Sequence, residues 1–487
     1  MIIETIIGRK AEKDKLSGIL SSRKAEFVAV YGRRRVGKTY LVRNLCIEKG
    51  LYFELTGLKD GKLATQLQNF TKSLSALFYG GLALQPPATW QAAFEQLTVE
   101  IDKMELNQKI ILFFDELPWL ANKRSGFMQS LDYVWNKFWS RDPRIKLIVC
   151  GSAASWMIDN LINAKGGLYN RVTNIMLLKP LTLPETDKYL QHNGIKFNVR
   201  QLFEIYMVMG GIPHYLNQIV PNKSSAQNIN NVCFKKDGVL FLEFERIFAS
   251  LFNCYEQNRT IVLEISKHQY GISRDHLLER VKLSSGGRFN KRISELESSG
   301  FLQKFIPYGK NKKDVYYKII DEYTLFYLRW IEPIKDRSML TVNANYWYTK
   351  ANTPEWYTWT GYAFENICYK HIPYILQELG LDNIACEVGT WRLLSRARSN
   401  IKGVQIDLII DREDGIIMLG EIKFTKDEFV IDKEYALKLK NKIEVFSKHF
   451  KTKKDVQLLM ITNVPLKQNI WSEDLVNIAI TLESILQ

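Results

Sequence analysis

The chain has 487 residues, 46% of them hydrophobic and 12% aromatic, which excludes a disordered chain and exceeds what one core holds, so about two to four domains are expected. Six cysteines (Cys46, Cys150, Cys233, Cys254, Cys368, Cys386) lie singly and six histidines form no ligand cluster, arguing against a disulfide framework or zinc site and for a reducing compartment. The start, MIIETIIGRK, is too short in its apolar part for a signal peptide and no run approaches the ~20 apolar residues that span a bilayer, so a soluble, cytoplasmic protein with no membrane partner is expected.

The run Glu26-Phe27-Val28-Ala29-Val30-Tyr31 suits a strand buried on both faces of a parallel sheet. It leads into Gly32-Arg33-Arg34-Arg35-Val36-Gly37-Lys38-Thr39, a full match to the phosphate-binding pattern G-x-x-x-x-G-K-[ST]. The glycines let backbone amides turn around phosphates, and the helix that begins near Tyr40 offers its positive N-terminus to them. Lys38 reaches the β- and γ-phosphates and Thr39 can hold Mg2+. Gly32 through Tyr40 are therefore the expected ATP-binding segment, with Arg34 and Arg35 read as surface charge rather than catalytic groups.

The strand Lys109-Ile110-Ile111-Leu112-Phe113-Phe114 ends in Asp115-Glu116, the Walker B pattern. Asp115 would hold Mg2+ through water, and Glu116 would orient and polarise the attacking water, work that contributes about 10²–10⁴-fold. A third buried strand, Lys146 to Cys150, ends at Gly151-Ser152. Ser152 is either a sensor of the γ-phosphate or a helix N-cap. Arg171, after Gly166-Gly167-Leu168-Tyr169-Asn170, is a candidate arginine finger acting across a homo-oligomer, or a structural residue.

The run V-Y-G-R-R-R-V-G-K-T, the F-F-D-E strand, the C-G-S turn and Gly210-Gly211-Ile212-Pro213 resemble the prokaryotic archaeal-type ATPases related to AAA and STAND proteins, which carry a DEXX-box ATPase C-terminal domain. Ile7-Gly8-Arg9 with Glu12 is similar to that family's N-terminal motif, with Ile7 where an aromatic is commoner. The resemblance covers nearly the whole chain. It implies a P-loop ATPase fold, ATP use and an adenine site near the N-terminal motif.

From about Leu181 to Ser250 the periodicity is helical, broken at Gly210-Pro213, as for the lid of an AAA-like core. Tyr255 to Lys318 has the layout of a winged helix-turn-helix: helices over Asn258–His268, Ser273–Val281 and Arg288–Leu296, then wing strands Phe301–Pro307 and Val315–Ile319 around the basic tip Lys310-Asn311-Lys312-Lys313. The net charge of +15 favours a polyanionic partner. Arg288, Lys291 and Arg292 on one exposed helix, with the wing tip, fit phosphate contacts on DNA or another nucleic acid; solvated charge on a protein-binding module is the alternative.

After a linker around Tyr346–Trp359, a helix over Gly361–Cys368 precedes strands Cys386–Trp391, Val404–Asp411 and Ile416–Lys423, the last two joined by an Asp414-Gly415 hairpin. Alternation puts Glu421 and Lys423 on one face. With Asp407 and Glu365 they resemble the PD-(D/E)XK nuclease motif, lacking the proline before Asp407. Glu365, Asp407 and Glu421 would ligate Mg2+ or Mn2+, and Lys423 would position water or stabilise the developing charge. A degenerate site or a surface Glu421–Lys423 ion pair is the alternative. Lys438, Lys440, Lys442, Lys448, Lys451, Lys453 and Lys454, with Arg392, Arg396, Arg398 and Lys402, suggest a polyanion path.

The expected architecture is α/β: a P-loop ATPase core over 1–180, a helical lid over 181–254, a winged helix over 255–345 and a restriction-endonuclease-like domain over 346–487. The leading expectation is an ATP-hydrolysing protein that couples ATP to nucleic-acid binding or cleavage. The alternatives are a nucleotide-dependent DNA-binding regulator and a signalling scaffold, each with a silent nuclease-like domain.

Overall fold

The computed structural model describes residues 5–122, 124–163, 170–252, 254–282, 286–335, 345–393 and 403–486. Strands β1 (Glu26–Tyr31), β2 (Leu51–Thr56), β3 (Ile110–Asp115), β4 (Ile145–Gly151) and β5 (Asn174–Leu177) form a parallel sheet in the order β2-β3-β4-β1-β5. The unbroken apolar runs of β1, β3 and β4 suit strands covered on both faces. Alternate residues serve separate cores: Val28, Val30, Ile111, Phe113 and Ile148 face one, while Phe27, Ala29, Leu112, Phe114 and Leu147 face the other. All five strands run the same way, so the loop after β1, Asp115 at the end of β3 and Ser152 after β4 gather at one edge.

Helices Leu183–His192, Val199–Met209, Ser225–Cys233 and Glu243–Leu251 follow. Thr182 with Glu185, and Ser224 with Gln227, close reciprocal N-terminal caps. The expected break falls at Gly210, with φ 58°, and a helical turn restarts at Pro213. Gly211 allows close approach: a Cβ there would stand 1.8 Å from the Leu181 carbonyl oxygen.

The next unit holds helices Tyr255–Ser266, Arg274–Val281 and Gly287–Ser298 with β6 (Ile272–Ser273), β7 (Leu302–Phe305) and β8 (Tyr316–Ile319), antiparallel in the order β6-β8-β7. Ser273 caps the second helix, accepting from His276 N–H. The third helix departs from expectation in one residue. Arg288 and Lys291 are exposed, but Arg292 is buried and pairs with Glu295 at 3.0 Å, because it falls on the face that carries Phe289, Ile293 and Leu296. That helix packs against the short helix Ala154–Met157 of the first unit.

The expected linker is not a loose connection. Tyr346–Lys350 and Pro354–Lys370 are helices, the second starting at Pro354 under a Thr353 cap, well before Gly361. Trp347, Trp356 and Trp359 are buried, and Trp347 stacks on Phe234 of the preceding helical region at 5.2 Å. The aromatics that read as linker composition are core.

The last sheet is mixed, β13-β12-β11-β10-β9, from β9 (Cys386–Leu393), β10 (Val404–Arg412), β11 (Ile416–Lys423), β12 (Asp455–Thr462) and β13 (Ile478–Thr481). β9, β10 and β11 are antiparallel, and β11, β12 and β13 are parallel. Gly415, with φ 93°, closes the β10–β11 hairpin. The β7–β8 loop docks onto this sheet. Tyr308 donates to Asp411 Oδ2 at 2.7 Å and its N–H to Thr390 O at 2.8 Å, and its ring meets Phe446 and Phe450.

Candidate functional sites

The β1 loop is built to hold a phosphate chain. Arg35 and Gly37 take the left-handed conformation, φ 71° and 92°, and a Cβ at Gly37 would meet no protein atom within 4 Å, so Gly37 stands at open space on the cavity wall. The helix Lys38–Cys46 starts there and points its N-terminus into a cavity of about 930 Å³. Lys38 is buried and donates to the carbonyls of Gly32 and Arg33, both at 3.0 Å. Burial lowers its pKa, opposed by the charge of Glu116. Thr39 Oγ1 donates to Asp115 Oδ2 at 2.7 Å, joining the two residues expected to share Mg2+. Burial raises the Asp115 pKa, and the Thr39 hydrogen bond opposes that. An open left-handed glycine, a buried lysine, and a hydroxyl set on a carboxylate fit a magnesium–nucleotide.

Glu116 also borders this cavity and sits at φ 48°. Its Oε2 accepts from Ser152 Oγ at 2.8 Å and Ser152 N–H at 3.1 Å. Ser152 does not cap a helix: the N-cap of Ala154–Met157 is Ala153, which makes no side-chain cap. Ser152 is a partner of Glu116, a role that neither sequence reading named. At the other end of the cavity stand Ile6, Ile7 and Arg9. Arg9 bonds the Val36 carbonyl at 3.0 Å, and its N–H bonds Glu185 at 2.6 Å, so the N-terminal motif locks the phosphate loop to the helical region. Tyr40, Arg34 and His214 complete the wall. Burial, then the charges of Arg35 and Arg34, lowers the His214 pKa.

Of the two arginines expected as surface charge, Arg34 lines the cavity and Arg35 is paired inward, as is Arg33. Arg33 is buried and pairs with buried Asp321, which follows β8; its guanidinium also lies 5.1 Å over Phe301. Arg35 pairs at 2.6 Å with Glu243, which is wholly buried and also accepts from Tyr215. The phosphate loop is thus held by carboxylates from two later units. Periodicity carries no trace of such pairs. Arg171 is exposed in the turn before β5, away from the cavity lining; residues 166–169 before it lie outside the described part.

The C-terminal residues singled out by sequence meet around a second cavity of about 550 Å³, lined by Glu365, Asp407, Glu421 and Lys423. Glu421 is buried and faces cations: Lys442 at 2.5 Å and Lys423 at 2.8 Å, with the Tyr435 hydroxyl donating at 2.5 Å. Burial alone would raise its pKa, but the two ammonium groups hold it near 2. Asp407 Oδ2 accepts from Ile422 N–H at 3.1 Å; burial and then Glu421 push its pKa up to about 6. Burial and Asp407 push Glu365 well above the carboxylate range. The three carboxylates expected as metal ligands thus line one cavity, with Glu421 already paired. Among the described residues no three His, Cys, Asp or Glu side chains group to hold a metal, and lysines occupy the Glu421 carboxylate.

Lys442 acts here as a counter-ion, not as part of a free basic path. Lys438, Lys440, Lys448 and Lys454 are likewise paired, with Glu434, Asp474, Glu444 and Asp411. Lys451 and Lys453 are exposed; Arg396, Arg398 and Lys402 lie outside the described residues. Sequence reading missed Lys318 of β8, which is buried beside this site and lies 3.5 Å over the Tyr369 ring. Burial pulls its pKa down to about 7, against the pull of Glu365. Strand alternation sets it on the face opposite the core residues Tyr317 and Ile319, so no local pattern marked it as buried.

Residues 7–219 match a family described as an ATPase domain predominantly from Archaea, and this part of the chain is a P-loop ATPase domain. An uncharacterized protein of Methanocaldococcus jannaschii is 24% identical over 428 residues, 86% of this chain and 87% of its own length. Among solved structures, a Walker-type ATPase of Pyrococcus abyssi is 18% identical, covering 66% of this chain and 96% of that one with a TM-score of 0.46. The ORC2 protein of Aeropyrum pernix, in ADPNP and ADP complexes, is 15% identical, with 69% and 97% covered and a TM-score of 0.42. Overlaps this loose bear on no residue's role. Among the described residues no helix is long and apolar enough to cross a membrane.

Proposed function

We propose that the chain hydrolyses ATP at the β1 loop and couples that reaction to nucleic-acid handling by a winged-helix unit and a nuclease-like C-terminal unit. One observation carries the coupling: Arg33, inside the phosphate loop, is paired with Asp321, the second residue beyond β8. A change in the loop on nucleotide binding therefore acts directly on the element that bears the wing.

In the ATP site, Lys38 and the loop amides would bind the phosphates, and Thr39 and Asp115 would hold Mg2+, which when bound would neutralise charge at the transferring phosphoryl group. Glu116 takes two hydrogen bonds on Oε2, which leaves Oε1 to orient water and accept its proton. Arg171 is not among the residues that line its own cavity, which suits a finger offered to a neighbouring copy.

The nucleic-acid side rests on charge. The wing-tip residues Lys310, Lys312 and Lys313 and helix residues Arg288 and Lys291 are all exposed. Helix Gly287–Ser298 also packs on the ATPase unit, which ties this charged helix to the nucleotide-binding unit. A second reading, metal-dependent cleavage, is favoured by Glu365, Asp407, Glu421 and Lys423 lining one cavity; Glu421 would first have to release Lys442. The decisive experiment measures phosphate release with and without DNA and RNA across salt. Stimulation that fades with salt supports coupling; turnover indifferent to every nucleic acid rejects it.

A further inference from the structure

Between the β6–β8 unit and the C-terminal sheet lies a third cavity of about 480 Å³. Tyr270, Tyr362, Glu365 and Gln405 line both it and the acidic cavity of about 550 Å³, so the two adjoin along one wall. Its chemistry differs from that of its neighbour. Lys318 enters from β8, Lys310 from the wing and Arg392 from β9.

Lys318 is the unusual member. It is 9% exposed and, among the described residues, forms no ion pair; its ammonium rests on the Tyr369 ring. Glu365 on the same cavity acts on it without forming an ion pair, and a buried amine so placed would gain from an anion that enters the cavity. The walls add aromatic faces. Tyr270 and Tyr362 meet at 5.7 Å and 77°, and the Arg392 guanidinium lies 5.3 Å over Tyr270. Cations that meet a backbone, beside aromatic rings that meet bases, are the components of a single-strand site. Cavities of this volume accept nucleotide-sized groups, whereas a duplex would require the two units to part.

We propose that this cleft seats a single strand of nucleic acid, with a backbone phosphate at Lys318 and Arg392 and a base against Tyr270 and Tyr362, directing the strand toward the Glu365 wall of the acidic cavity. The proposal rests on the nucleic-acid reading above and adds the form of the ligand and the residues that hold it. The cleft is formed by two units, so the site is complete only while the wing is docked through Tyr308.

The test uses the full chain and fluorescence anisotropy with an end-labelled oligothymidylate of about 12 nucleotides. The same sequence as a duplex, thymidine monophosphate and inorganic phosphate serve as competitors. Lys318→Met and the exposed-site change Arg392→Gln should each weaken single-strand binding about tenfold, and Arg392→Gln should reduce the salt slope by about one. ATP turnover in both variants reports that the chain is folded. Equal single-strand affinity in wild type and both folded variants overturns the proposal while leaving nucleic-acid coupling intact. Thymidine monophosphate or phosphate that competes as well as the oligonucleotide reassigns the cleft to free phosphate compounds and overturns the strand. A duplex that binds more tightly, with the same loss in the variants, also overturns it. No binding of any nucleic acid by wild type removes the underlying reading as well.

Discussion

The Glu116 carboxylate is anchored by Ser152, which donates to Oε2 from both its hydroxyl, at 2.8 Å, and its backbone, at 3.1 Å. Glu116 follows β3 directly and borders the cavity, and these two bonds hold its carboxylate there. Ser152→Ala removes one bond and keeps the other. ATP turnover should fall about tenfold with ATP affinity unchanged, a split that phosphate release and nucleotide titration measure separately. An unchanged turnover number would show that the hydroxyl does not position the base.

The Arg33–Asp321 pair joins the phosphate loop to the segment after β8, with side chains 3% and 2% exposed. Breaking a buried pair from one side leaves a charge without a partner, at a cost of about 3–5 kcal/mol. Asp321 also accepts from Thr324 N–H and its hydroxyl, so Asp321→Ala loses those bonds too, whereas Arg33→Met removes the pair and the contact with the Phe301 ring while leaving the Asp321–Thr324 bonds in place. Urea unfolding of Arg33→Met should show a clearly lower midpoint. Should the midpoint match wild type, the pair is no tether.

His371 supplies a pH dependence. Its Nδ1 lies 2.8 Å from Ile367 O and its Nε2 accepts from Leu183 N–H at 2.9 Å, which requires the neutral ring. Burial lowers its pKa below 6.5. As pH falls below about 6.5, the unfolded chain takes up a proton that the folded chain refuses, so stability is present above that pH and declines beneath it. His371→Leu should flatten the decline between pH 6.5 and the lowered folded value, at some loss of stability near neutrality. Denaturation series at several pH values report it; parallel wild-type and variant profiles would show that His371 is not the titrating group.

What the sequence disclosed and what it hid divide by distance along the chain. The phosphate loop and β3 announce themselves because their chemistry is contiguous: Gly32 to Thr39 is one turn, and Ile110 to Asp115 is one strand. The β10–β11 hairpin was equally plain in Asp414-Gly415. Arg33 and Asp321 are 288 positions apart (321 less 33), and no local pattern pairs them. Arg292 illustrates a finer failure. It is basic and beside Lys291, yet helical geometry turns it to the face of Phe289 and Leu296. The residues around Trp347 and Trp356 misled for another reason: aromatics beside polar residues read as a linker until their partner Phe234, more than a hundred positions upstream, supplies a surface to bury them. In the C-terminal site the four motif residues were legible, but Lys442, which occupies the Glu421 carboxylate, and Lys318, which arrives from another unit, were not.

The central claim is that this chain hydrolyses ATP with Glu116 as the group that activates water. Glu116→Gln keeps the size of the side chain and removes its basicity, while Lys38, Thr39 and Asp115 remain to bind nucleotide. Single-turnover phosphate release by the purified variant, with ATP binding measured in parallel, tests this most directly. The account predicts wild-type ATP affinity and hydrolysis slower by about 10²–10⁴-fold; hydrolysis at the wild-type rate would contradict it.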